Sequence, residues 1–133
     1  MNNQFDLLIL YNCIMKCLKI NFETIEGYYY LTVFDGHSFT LETNISGLEN
    51  KCGVIENYDL FEKRLNEINI SSWDRYYNPD GLDIEDGVKW SVILDDYSSS
   101  GVEGYWPYNY DKLIDIIMMI DNKANYFKAN LAE

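Results

Sequence analysis

The sequence predicts an α+β fold: an antiparallel sheet of four to five strands with two helices packed on one face, a two-layer sandwich. Three observations carry that expectation. Two β-rich runs flank an Asp-Gly pair, Tyr28–Phe34 and Ser38–Thr43 around Asp35-Gly36, and Gly accepts the positive φ that a tight hairpin turn needs. Two further segments, Tyr58–Ile68 and the chain after Asn109, repeat apolar residues at helical spacing. The elements alternate as hairpin, helix, hairpin, helix, which suits one sheet covered on one side.

The N-terminal part reads two ways. Phe5–Tyr11 fits a buried strand, whereas Leu10, Ile14, Cys17 and Leu18 would share one face of a helix. The strand is preferred, with Asn12-Cys13 and Asn21-Phe22 as punctuation. In the first helix, Asn57 is placed to cap the free amides, Asp59 and Glu62 sit near the positive end of the dipole, and Tyr58, Phe61, Leu65 and Ile68 form the inner stripe. Ser71–Gly81 reads as an irregular connection anchored by Trp73. Lys89–Leu94 is the next strand, Asp95–Gly101 a turn, and Val102–Trp106 its returning partner. Pro107 then ends the strand and Asn109 caps a helix whose stripe, Leu113, Ile116, Ile117, Ile120, Ala124, Phe127 and Leu131, runs it to about Asn130.

The 133 residues suit one domain spanning 1–133, with neither a linker nor a repeat. Ten Lys and Arg against 22 Asp and Glu leave a formal charge of −12, which excludes a phosphate-gripping footprint and so direct nucleic-acid binding. Apolar runs such as Leu7–Tyr11 and Ile116–Ile120 fall far short of the ~20 residues of a membrane span. The N-terminus lacks the pattern of a secretory signal, and three cysteines suit reduced thiols, so a cytoplasmic location is expected.

Half of the net charge is concentrated in one region. Between Asp74 and Glu103 stand eight carboxylates against Arg75 and Lys89, a net −6, interleaved with tyrosine and tryptophan. Such a surface can dock on a cationic partner, with Asp80, Asp83, Glu85, Asp86, Asp95 and Asp96 as charge and Tyr76, Tyr77, Tyr97 and Tyr105 as contact area. The plainer alternative is that the carboxylates solvate a loop while the aromatics fill the core. Side chains alternate across a strand, so Tyr28 and Tyr30 must face away from Tyr29, and some aromatic surface is expected outside the core.

Catalytic and metal chemistry find little to build on. Counting back from Gly87, an EF-hand loop would need oxygen ligands where Ile84 and Leu82 stand, which leaves only an irregular calcium site over 78–87. The single histidine, His37, follows a turn and has no marked nucleophile to serve. Cys13 and Cys17 lack the second ligand pair of a zinc site. No phosphate loop, nucleophile elbow or zinc-protease motif occurs. The expectation is a non-enzyme with neither cofactor nor resident metal.

Over roughly residues 58–120 the chain resembles a group of small acidic proteins from low-GC Gram-positive bacteria and their prophages. The matching residues are Trp73, Asp86-Gly87, Trp90, Gly101 or Gly104, and the step Trp106-Pro107-Tyr108-Asn109 into a helix. The resemblance implies a two-layer α+β fold and no catalytic motif. By analogy of size and charge, such proteins are similar to stoichiometric inhibitors, either toxin-immunity proteins or anti-CRISPR-type anti-defence proteins of phage. The partner so implied is a basic protein, a toxin or a nucleic-acid-binding effector. Two other readings stand beside it. One is a small-ligand or calcium-binding domain with a pocket lined by Tyr28, Tyr30, Trp90 and Trp106; the other is a homodimer built on exposed sheet aromatics.

Overall fold

A computed structural model describes residues 17–34, 37–77 and 87–128. Seven strands form one sheet in the order β4-β3-β2-β1-β6-β7-β5. They are β1 (Leu18–Thr24), β2 (Gly27–Phe34), β3 (Ser38–Thr43), β4 (Lys51–Val54), β5 (Tyr76–Tyr77), β6 (Lys89–Leu94) and β7 (Tyr97–Val102). Every neighbouring pair is antiparallel except β5 with β7. The α+β class stands. The expected count of four to five antiparallel strands is corrected to seven in a mixed sheet, because β4 and β5 carry too little local pattern and Asn21, inside β1, mimics a break.

The most central strand is one of these. In β1, Leu18, Ile20 and Phe22 are buried while Lys19 and Glu23 are exposed, the period of two that a half-buried strand requires. Asn21-Phe22 is therefore mid-strand and not punctuation. Ile20 pairs with Leu31 on one side and Val92 on the other. Leu31 pairs in turn with Leu41, so one row of apolar side chains crosses four strands. The alternative strand Phe5–Tyr11 lies outside the described residues.

The helices cover the face that these rows bury. α1 (Tyr58–Ile68) has the predicted bounds, and Asn57 Oδ1 accepts from Leu60 N at 3.3 Å. It buries Phe61, Leu65 and Ile68. α2 (Tyr110–Ile117) buries Tyr110, Leu113, Ile114, Ile116 and Ile117, and all these join the sheet residues in one core. The single helix expected to run to Asn130 is corrected. After Ile117 the chain turns, Asp121 adopts extended backbone and its carboxylate accepts from Lys123 N, and a 3-10 helix follows over Asn122–Phe127. The stripe survives the break: Phe127 stacks on Phe22, with ring centroids 4.2 Å apart. Asn109 occupies the cap position at φ 68 with no side-chain cap bond, so its part is to tolerate the left-handed backbone.

The second hairpin also differs from expectation. Asp95-Asp96 alone forms the turn, and Tyr97–Val102 is the return strand in place of Val102–Trp106. The Ser98-Ser99-Ser100 run lies inside the strand, where buried Ser99 donates its hydroxyl to the Asp74 carbonyl at 2.6 Å. Gly101 lies against Trp90, and a Cβ there would come within 2.8 Å of both the Trp90 ring and Tyr77 Cβ. Gly101→Ala is accordingly expected to destabilise by about 1–3 kcal/mol through overpacking. A lowered urea midpoint with unchanged slope would show it, and an unchanged midpoint would contradict the packing.

Candidate docking surface

Those of the sequence-selected residues that the structure describes fall into separate places. Asp80, Asp83, Glu85 and Asp86 lie outside the described residues, as does most of the 78–87 stretch read for calcium. Asp95 and Asp96 are exposed at the tip of the β6–β7 hairpin. Asp95 adopts φ 54, and its Oδ1 accepts from Cys17 N at 2.9 Å, which fixes the turn to the start of β1. The anchors of the 78–86 connection, Tyr77 beside Gly101 and Gly87 beside β6, are at the other end of that hairpin. Six-residue strands separate the two ends by roughly 17 Å.

The four tyrosines selected as contact area divide too. Tyr76 is 58 % exposed and Tyr105 is half-buried. Tyr77 packs against Trp90, and its hydroxyl accepts from Asp74 N at 2.8 Å. The Tyr97 hydroxyl donates to the Trp73 carbonyl, while the Arg75 guanidinium lies 4.7 Å from the centre of its ring. Tyr77 and Tyr97 thus fasten the segment around Trp73 to the sheet.

A second polar and aromatic group is one of which the sequence marks only Tyr28 and Tyr30. The face of the sheet away from the helices presents Asn21, Glu23, Tyr28, Tyr30, Thr32 and Glu42, none of them buried. Tyr28 and Tyr30 stack with centroids 4.6 Å apart. The Tyr28 hydroxyl donates to Glu42 at 3.1 Å and the Tyr30 hydroxyl to Glu23 at 2.8 Å. These bonds, first, and then burial and the carboxylate charge raise both phenols above their ordinary pKa. The alternation of Tyr28 and Tyr30 against buried Tyr29 was legible. Glu23 and Glu42 were not, because only strand pairing brings them to the same rings. In the β1–β2 turn, Glu26 accepts from the hydroxyl of Tyr126, a hundred residues further along the chain.

The pocket expected from Tyr28, Tyr30, Trp90 and Trp106 does not form. Trp90 is buried on the helix side, with Tyr28 and Tyr30 on the opposite face. Trp90 instead joins Trp73, Tyr77 and Tyr110, and Trp106 packs on Tyr110 at 4.4 Å. Trp73 Nε1, Trp90 Nε1 and the Tyr110 hydroxyl are buried there without a hydrogen-bond partner. Burial, with a smaller contribution from Glu103, pushes the Tyr110 phenol well up.

Among the described residues no group of three or more His, Cys, Asp and Glu could hold a metal ion, and no helix is long and apolar enough to cross a membrane. His37 is exposed, its ring 5.8 Å from Tyr58 and its carbonyl accepting from Ile55 N. No family model, curated protein or solved structure matches this chain. The described arrangement can offer a cation exposed carboxylates set beside aromatic rings.

Proposed function

We propose that this chain is a non-enzymatic acidic binding protein that docks on a basic surface of a partner protein, a toxin or nucleic-acid-binding effector, and blocks it stoichiometrically. The observation that carries the reading is that, among the described residues, Asp95, Asp96, Glu23 and Glu42 are exposed and no Lys or Arg forms an ion pair with them. Of the ion pairs among the described residues, Lys51 serves buried Asp121 and Lys128 serves Asp115. Asp95, Asp96, Glu23 and Glu42 keep their charge for a partner, within a formal balance of −12. A field of that sign steers association with a positive surface and is screened by salt.

The test is a partner retained from lysate of the producing cell at low salt and released at high salt, followed by kinetics on the purified pair. Asp96→Lys, which leaves the Asp95–Cys17 bond in place, is expected to slow association several-fold with the fold intact. Unchanged rates and no salt dependence would remove the electrostatic basis of the reading.

A small-ligand function has one observation in its favour, the three unpartnered buried polar atoms of Trp73, Trp90 and Tyr110. Buried polar groups ordinarily find a partner. A thermal-shift screen with calcium and common metabolites decides it: a saturable rise in melting temperature supports a site, and silence across the screen counts against one.

A further inference from the structure

We propose that the row Glu23, Tyr30, Tyr28, Glu42 on the helix-free face of the sheet is the seat for an arginine-bearing extended segment of the basic partner. The inference rests on the docking function above and names the surface and the side chain that it takes. The row straddles the three adjacent strands β1, β2 and β3, so its carboxylates stand roughly two strand spacings apart, about 10 Å. Between them lies the Tyr28–Tyr30 stack.

The geometry favours arginine over lysine. Each carboxylate gives only its Oε2 to a tyrosine hydroxyl, which leaves Oε1 for an incoming donor. A planar guanidinium can lie on a tyrosine ring and hydrogen-bond a neighbouring carboxylate together, whereas an ammonium is a compact, strongly hydrated charge. The chain already makes a contact of this type internally, with Arg75 over Tyr97. Lys89, the register partner of Glu23, stands on the same face and forms no ion pair with it among the described residues. Because the strands are paired on both sides, the rings and carboxylates are set before a partner arrives, which reduces the ordering cost of binding.

The experiment uses the full chain and two capped synthetic peptides of equal charge, one alternating Gly with Arg and one alternating Gly with Lys, with calorimetry at low salt. The Arg peptide is expected to bind roughly tenfold more tightly than the Lys peptide. Glu23→Gln with Glu42→Gln keeps an oxygen for each tyrosine hydroxyl and is expected to weaken the Arg peptide roughly tenfold, with circular dichroism and melting temperature confirming the fold. Tyr28→Leu with Tyr30→Leu should erase the Arg preference. Equal affinity for the two peptides, or affinity indifferent to the Glu23 and Glu42 change, overturns the assignment. If Asp96→Lys slows association with the captured partner while the Glu→Gln pair leaves it unchanged, docking survives and this seat for it falls.

Discussion

Asp121→Ala is expected to cost about 3–5 kcal/mol, a large share of the ~5–15 kcal/mol by which a domain is ordinarily stable. The Asp121 carboxylate is 1 % exposed. It accepts from the Tyr29 hydroxyl at 2.8 Å, from Lys51 Nζ at 3.1 Å and from Lys123 N at 3.2 Å. One side chain therefore ties the turn after α2 to the interior strand β2 and the edge strand β4. Truncation leaves the Tyr29 hydroxyl buried with no acceptor and removes the counter-charge of Lys51. The control is Lys128→Ala, which breaks the exposed pair to Asp115 and should change stability by less than about 1 kcal/mol. Urea unfolding of both variants separates the cases. Equal effects would show that the buried carboxylate is no more important than a surface one.

Stability should also fall steeply above about pH 10, the ordinary tyrosine pKa. Burial, and then the bond to Asp121, raises the Tyr29 phenol; burial raises Tyr110. Tyr58 is pushed up to about 12 by burial and then Glu62. Below about pH 10 the phenols are protonated whether the chain is folded or unfolded, so the stability is fully present. Above it the unfolded chain releases protons that the folded chain keeps, and Tyr29 and Tyr110 together lower stability by about 2.7 kcal/mol per pH unit. Tyr58 adds to the slope until about pH 12. Denaturation followed through phenolate absorbance between about pH 9 and 12 reads this directly. Flat stability across that range, or these tyrosines ionising in the folded chain, would contradict the burial.

The parts of the fold legible in the sequence are those whose signals are local. The α1 bounds follow from Asn57, Asp59 and a stripe that begins one residue later, and the β2–β3 hairpin follows from its alternation around Asp35-Gly36. β1 carried an equally regular pattern, Leu18-Lys19-Ile20-Asn21-Phe22-Glu23-Thr24, but Asn21 was read as a breaker when the helix-free face needs a polar residue there. β4 and β5 have no pattern to find. All four residues of β4 are exposed and β5 has only two, so both exist through pairing with a neighbour. The end of α2 was hidden because Asp121 finds its partners in strands far away in the chain. The charge-dense run from Asp74 to Glu103 was plain to read, whereas the Glu23–Glu42 row depends on strand register, which no local signal reports.

β1 lies in the middle of the sheet, joined to β2 on one flank and β6 on the other, and these two partners leave the ribosome at very different times. The meander through β4 and α1 can close early, while the second flank of β1 waits for Lys89–Leu94. In that interval the nascent chain carries a bare row of backbone donors and acceptors beside the alternating apolar residues Leu18, Ile20 and Phe22, the kind of margin on which other chains aggregate. A polypeptide stopped short of Lys89 would keep that margin permanently.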